Sequence, residues 1–350
     1  MINLVYPYED SMLHLLCEYE NQKNVIEYLV VPHAWIKNIN TNSKKITENY
    51  KLAIEKVECA IFLEPSYIEF IYHDIIDKIK YAIDKRKKII CLVMLQDEDK
   101  ANLIEYADRQ KVTIEFMDSS VKEVFHYYNN LQSIIVGVGS TIGQLDTLKV
   151  LIKLKKQFSE KGYRVAVIST NINGKILGYY YLDCLKHKFK VKEIVVDINT
   201  FINNSQYDKQ ADIILVQIPG SMLNYSKLAG EDFSVESYIF SRAIDFDYFI
   251  FLSTVDEGLI GNFDLLSQTF QYRYGFGINA ILVDNCIIDF SNELEDEELL
   301  LKINDKNNFM NYIENLKMYE PDLLFGNMED DGFYKTIFED CENKITRIDI

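Results

Sequence analysis

The chain has 350 residues, 48% of them hydrophobic, and a formal net charge of −17. That length favours two domains over one, and the acidic balance disfavours a nucleic-acid partner, because phosphate backbones repel it. No apolar run reaches the ~18 residues of a membrane span, and Met1–Pro7 reads as a first strand, having no basic segment followed by an apolar one. The expectation is a cytoplasmic protein without a membrane partner.

The first third alternates strand and helix patterns. Strands are predicted at Asn3–Tyr6, Val25–Val31, Cys59–Leu63, Lys88–Val93 and Val112–Phe116, with helices at Asp10–Glu20, Ser43–Val57, Tyr67–Lys85 and Asp97–Arg109. Apolar strands separated by helices predict a parallel sheet covered on both faces, so this region reads as a small Rossmann-like or flavodoxin-like domain. The turn after Tyr6 has no glycine fingerprint, which favours a scaffold or docking role over dinucleotide binding. Residues Asp118–Asn130 are expected to hold a short helix joining the halves.

The second half opens on a strand at Ser133–Val138, a glycine-rich stretch from Gly137 to Gly143, and a helix from about Gly143 to Lys161. Thr147, Leu151, Leu154 and Phe158 form one apolar stripe of that helix. Lys149, Lys153 and Lys156 lie on another face, and Gly162 is a natural helix stop. Further strands are predicted at Tyr163–Ser169, Lys190–Val196, Asp212–Gln217, Asp247–Leu252 and Asn279–Val283, the last closing the sheet, with helices at Val235–Ala243 and Phe263–Tyr274. Beyond Ser291 the pattern loosens. Glu293–Leu300 reads as a solvated acidic helix, and Glu329–Gly332 as a turn lacking the ligand set of a calcium loop. The expected organisation is 1–128, a Rossmann-like α/β domain; 129–292, an α/β domain of P-loop type with a degenerate phosphate loop; and 293–350, a helical or irregular extension.

Strand, glycine loop and helix in that order form a phosphate cradle, in which backbone N–H groups and the positive helix end face an anion. In a hydrolysing loop the next residue is a lysine reaching the β- and γ-phosphates, followed by a Ser or Thr on Mg²⁺. Here those places hold Gln144 and Leu145. Gly137 lies six residues before Gly143, where the common form has five, a spacing that resembles dethiobiotin-synthetase-like enzymes. At the end of the predicted central strand, where an acidic residue would position the metal, stands Gln217, with Gly220 shortly after. Two neutral residues at two charged positions argue against NTP hydrolysis.

The expected ligand-binding set is therefore Gly137, Gly139, Ser140, Thr141, Gly143, Gln144, Asp146, Thr147, Gln217 and Gly220. It would hold a nucleotide or another phosphate-bearing ligand through backbone donors, with Gly143 the most sensitive position. Ser169–Gly174, Asn224 and Gly230 are pocket-wall candidates, and Asp197 is the remaining carboxylate near a predicted strand end. No catalytic residue is assigned. The six cysteines (Cys17, Cys59, Cys91, Cys184, Cys286 and Cys341) form no CxxC, so no metal site is expected. The histidines (His14, His33, His73, His126 and His187) form no catalytic set. Trp35 reads as a packing residue or a partner anchor.

Several segments in order resemble a family of peptide-maturation-system proteins, which accompany radical-SAM enzymes in gene clusters for ribosomally made, modified peptides, such as bacteriocins, of low-GC anaerobes. They are Val5–Pro7, Pro32–Trp35, Gly137–Gly139 with Gly143–Thr147, Gly162–Val165, Ile218–Gly220, Ser241–Ile244 and Phe270–Phe276. Members generally carry lysine where this chain has Gln144. The resemblance implies an accessory role beside a precursor peptide or a radical-SAM maturase, with homo-oligomerisation open, and it implies no particular reaction. The second domain also distantly resembles P-loop N-acyltransferases acting on amino acids, which pair a Rossmann-like N-terminal domain with a P-loop domain. That likeness implies a ligase or acyltransferase holding ATP or acyl-coenzyme A. A non-catalytic structural subunit is the third reading.

Overall fold

The computed structural model describes residues 2–33, 35, 46–117, 128, 130–183, 190–224, 234–289, 300–319 and 323–346. They fall into two compact units, Met1–Ser119 with Asn171–Tyr179, and Ser120–Thr170 with Tyr180–Ile350. The division lies earlier than the expected 128/129, and the first unit takes a piece from the middle of the chain. Among the described residues no helix is long and apolar enough to cross a membrane.

The first unit runs β1 (Ile2–Tyr6), α1 (Leu13–Asn21), β2 (Val25–Val30), β3 (Ile46–Thr47), α2 (Tyr50–Glu55), β4 (Cys59–Phe62), α3 (Tyr72–Asp84), β5 (Lys88–Cys91), α4 (Asp97–Gln110) and β6 (Ile114–Phe116). The strands form one sheet in the order β3-β2-β1-β4-β5-β6, and every pairing is parallel. β4 is buried along its whole length, as a strand covered on both faces must be. α3 turns Ile75, Ile76, Ile79, Ala82 and Ile83 into the core, at helical spacing.

Three helices begin later than predicted. α1 starts at Leu13, after a 3-10 turn at Asp10–Met12. Within the expected 43–57 helix, Ile46–Thr47 pairs with Leu29–Val30 as an edge strand. The helix then starts at Tyr50, because the Asn49 side chain accepts the Leu52 N–H at 3.1 Å and so caps it there. In the expected 67–85 helix, Ile71 (φ −129°, ψ 8°) separates a 3-10 turn at Ile68–Phe70 from α3.

The segment Asn171–Tyr179 completes this unit with a 3-10 turn at Ile172–Leu177. The Asn173 amide meets the Glu64 backbone twice: its oxygen accepts the Glu64 N–H and its nitrogen donates to the Glu64 carbonyl, both at 2.8 Å. Lys175 donates to the Met117 carbonyl. Residues 171–174, the second part of the expected pocket wall, thus belong to the first unit, tied to it through Asn173.

The second unit runs β7 (Ile134–Ser140), α5 (Thr147–Glu160), β8 (Val165–Ser169), β9 (Tyr180–Tyr181), α6 (Val191–Lys209), β10 (Ile213–Gln217), α7 (Val235–Ser241), β11 (Tyr248–Ser253), α8 (Phe263–Tyr274), β12 (Ala280–Val283), β13 (Cys286–Asp289), β14 (Leu300–Ile303), α9 (Lys306–Tyr319), β15 (Leu324–Asn327) and α10 (Asp331–Thr346). Seven strands form a parallel sheet in the order β15-β12-β11-β7-β10-β8-β9, and β13 and β14 form a small antiparallel pair. The core gathers Ile214 and Val216 of β10, Phe249 and Phe251 of β11, Phe270 of α8 and Phe325 of β15.

Three expectations change here. Lys190–Val196 is not a strand but the start of the 19-residue α6. Ile194, Ile198 and Ile202 recur every fourth residue and are buried, and that periodicity outweighs the strand preference of a short β-branched run. Asp197 therefore sits on a helix. The sheet does not close at β12: β15 adds a further parallel strand. The last part of the chain also belongs to this unit, with Phe338 of α10 packed edge-on against Phe158 of α5, ring centroids 5.1 Å apart. The joining helix expected within Asp118–Asn130 and the acidic helix expected at Glu293–Leu300 lie almost wholly outside the described residues, and Leu300 begins β14.

Candidate functional site

Gly137 and Gly139 lie inside β7, which runs two residues further than predicted, to Ser140. A Cβ on Gly137 would stand 2.5 Å from the Phe246 ring, and one on Gly139 would stand 2.3 Å from Met222 Sδ. Both glycines are there to let neighbouring side chains lie against the strand. They are buried packing positions, a correction to their reading as ligand contacts.

The loop after β7 spends most of its polar side chains on itself. Ser140 Oγ donates to the Ile142 carbonyl at 2.8 Å. Thr141 directs both its N–H (2.9 Å) and its hydroxyl (3.0 Å) at the Leu252 carbonyl at the end of β11. Both side chains are buried, so neither hydroxyl is presented to a ligand as expected. Gly143 and Gln144 are exposed. Among the described residues, the backbone N–H groups of Ile142, Gly143, Gln144 and Asp146 meet no protein acceptor. Gly220, in the left-handed region at φ +68°, approaches Gly143. A Cβ on Gly143 would lie 3.6 Å from its backbone, an ordinary contact, so packing alone does not make Gly143 sensitive.

α5 starts at Thr147, four residues later than expected, because Asp146 caps it: the carboxylate Oδ1 accepts the Lys149 N–H at 3.0 Å. The helix end that would face a phosphate thus already carries a carboxylate. Burial pushes the Asp146 acid up to about 6, against the opposing pull of the Lys149 N–H and ammonium.

Gln217, at the end of β10, ties three elements together. Its side-chain oxygen accepts from Ser169 Oγ at 2.6 Å and from the Thr170 N–H at 3.1 Å, and its nitrogen donates to Thr147 Oγ1 at 2.6 Å. Thr147 is buried. β8 and β10 are parallel neighbours, and β10 also pairs in parallel with β7, which leads into α5 and Thr147, so these groups gather on the carboxyl edge of the sheet, where open α/β sheets place ligands. Ser169 joins Gln217 here, Asn224 is described in the following loop, and Gly230 lies outside the described residues.

A charged cluster beside this edge was not read from the sequence. Lys149, whose side chain is 6% exposed, pairs with Glu329. Lys153 donates to the Met328 and Glu329 carbonyls, each at 3.2 Å, and pairs with Asp331 at 2.9 Å. Asp284, just past β12, is pushed up by burial and partly drawn back by Lys149. The i, i+4 spacing of Lys149 and Lys153 was visible in the sequence, but their partners lie 180 and 178 residues away. Thr254 Oγ1 and Asn285 Oδ1 are buried near the ends of β11 and β12, with no hydrogen bond among the described residues. No group of three or more metal-ligating side chains is found among the described residues.

No family model matches the sequence, and no curated protein matches it. Among solved structures, chloroplast FtsY from Physcomitrella patens aligns at 9% identity over 82% of this chain and 93% of its own, with a TM-score of 0.32. A DUF1611 family protein from Anabaena variabilis aligns over 98% of this chain and 99% of its own, at 12% identity and a TM-score of 0.62. This second likeness is one of fold, and it extends over nearly the whole of both chains.

Proposed function

We propose that the chain is a non-hydrolysing accessory protein of ribosomal-peptide maturation. Its second unit would be a degenerate P-loop domain serving ligand sensing or docking of a precursor peptide or maturase. The observation that carries this reading is the Gln217 bridge. Where a Mg²⁺-dependent loop needs a carboxylate, Gln217 is neutral, a poor partner for a hard cation, and its amide nitrogen is spent on Thr147 Oγ1. Lys149, one turn into α5, is bound to Glu329 and supplies no free charge to a triphosphate. The peptide-maturation setting rests on the resemblance of the sequence segments.

What remains for a ligand is the exposed Gly143–Gln144 edge with its unspent N–H groups. Losing a lysine contact would weaken a phosphate by about 1.5–3 kcal/mol, so binding there should be weak. The same N–H groups support a second reading, a ligase or N-acyltransferase that holds the diphosphate of acyl-coenzyme A without a metal.

Calorimetry with Mg·ATP, ADP and acetyl-coenzyme A, beside a phosphate-release assay, tests both. The expected result is turnover no faster than the blank, for wild type and for Gln144→Lys alike, because the metal position stays neutral. Mg²⁺-dependent phosphate release abolished by Gly143→Val would overturn the first reading. Tight acetyl-coenzyme A binding lost in that variant would establish the second.

A further inference from the structure

We propose that a crevice in the first unit, between the start of α2 and one stripe of α3, binds an organic cation, namely the ammonium or guanidinium side chain of a basic peptide. The crevice encloses about 610 Å³. Asp74, Asp77, Lys78 and Tyr81 line it from α3 at i, i+3, i+4 and i+7, one face of a helix, and Glu48 and Tyr50 line it from the start of α2. The sheet beneath reverses its strand order between β1 and β4. Tyr6 ends β1 and α3 follows β4, so the crevice opens beside the switch point, where ligands of open parallel sheets bind.

The chemistry there selects a cation. The residue after β1 is Pro7, which has no N–H to offer an anion. Three carboxylates (Glu48, Asp74 and Asp77) and two ammoniums (Lys51 and Lys78) line the crevice, Glu48 being bonded to His33 Nδ1. The inner seat shows what the site holds: the Lys78 ammonium lies 4.5 Å from the Tyr6 ring centroid and 5.7 Å from that of Tyr50, and it pairs with Asp74. The outer part is differently disposed. Asp77 is exposed and, among the described residues, has no ion pair or hydrogen bond. Lys51 has no carboxylate partner there, and its ammonium rests 5.8 Å from the centroid of the Tyr81 ring, which Lys85 also approaches at 5.4 Å. Lys51 is thus a placeholder on an aromatic face beside an unused carboxylate. An incoming ammonium would displace it and pair with Asp77. The net charge of −17 favours approach of such a ligand over an acidic one.

The probes are capped dilysine and diarginine peptides, with a capped diglutamate peptide and inorganic phosphate as controls, titrated calorimetrically into the full chain. The basic peptides should bind saturably. Asp77→Asn should weaken them about tenfold, and Lys51→Ala should tighten them several-fold by removing the competitor. Both positions are exposed, so neither variant threatens the fold. Equal binding of diglutamate or phosphate, or basic-peptide binding indifferent to both variants, would overturn the proposal. Gly143→Val in the second unit should leave this binding unchanged, so the outcome is separable from that of the loop.

Discussion

The two parallel sheets treat the end of their first strand in opposite ways. In the first unit β1 ends on Tyr6 and a proline, and the space beside it is filled by aromatic rings around a lysine. In the second unit β7 ends in a loop whose side-chain hydroxyls are spent internally while the backbone N–H groups of Gly143 and Gln144 stay open. One edge offers acceptors and π faces, the other offers donors. A shared architecture therefore fixes where a ligand would sit and leaves its sign to a few residues.

The sharpest way to break this comparison lies in the glycines of the second edge. Gly139→Val would drive a branched side chain into Met222 and Phe249, and overpacking at a buried strand position should cost about 3 kcal/mol or more. Gly143→Ala meets only an ordinary contact with Gly220 and should cost less than ~1 kcal/mol. Urea unfolding of both variants decides it. Equal destabilisation would mean that the loop glycine, too, is a packing position.

Gln217→Ala comes next. It strips partners from Ser169, Thr170 and Thr147 at once, and the loss should be about 2–3 kcal/mol. Asn173→Ala should cost about 1–2 kcal/mol, but in the other unit, since its amide bonds Glu64. Trp35 is the single tryptophan and packs against the first unit's core, so its fluorescence reports that unit. Asn173→Ala should move the fluorescence transition and Gln217→Ala should spare it. The reverse pattern would sink the assignment of residues 171–179 to the first unit.

The smallest effect is a slope. The folded-state acid of Asp146 lies near 6 against 3.8 in the open chain, chiefly through burial. The folded chain then holds the proton to higher pH than the unfolded chain does, so this group's contribution to stability falls as pH rises from about 4 to about 6. Asp146→Asn keeps the cap and removes that fall. Its melting temperature should exceed wild type above pH 6 and converge with it below pH 4. A constant offset across the range would show that the Asp146 acid is not raised in the folded chain.

Local patterns carried much of this structure. α8 was legible to the residue, and the Gly162 stop after α5 follows from its position, its φ being +91°. What was hidden is what depends on distant partners. Nothing in Gly137 and Gly139 distinguishes a phosphate cradle from a strand crowded by Phe246 and Met222, which come from elsewhere in the chain. The Lys149–Glu329 pair joins residues 180 apart. β15 is a four-residue strand, too short for its period to announce itself.

The loan of Asn171–Tyr179 to the first unit bears on the order of events during synthesis. A chain emerging from the ribosome exposes residues up to Ser119 well before Asn171–Tyr179 appears. At about 5–20 residues per second, the 60 residues from 119 to 179 take roughly 3–12 s. During that interval β7, α5 and β8 emerge before the Glu64 backbone gains its Asn173 partner. Maturation of the two units is therefore interleaved in time, and a fragment ending at residue 119 would keep its sheet strands and lack its closing clasp.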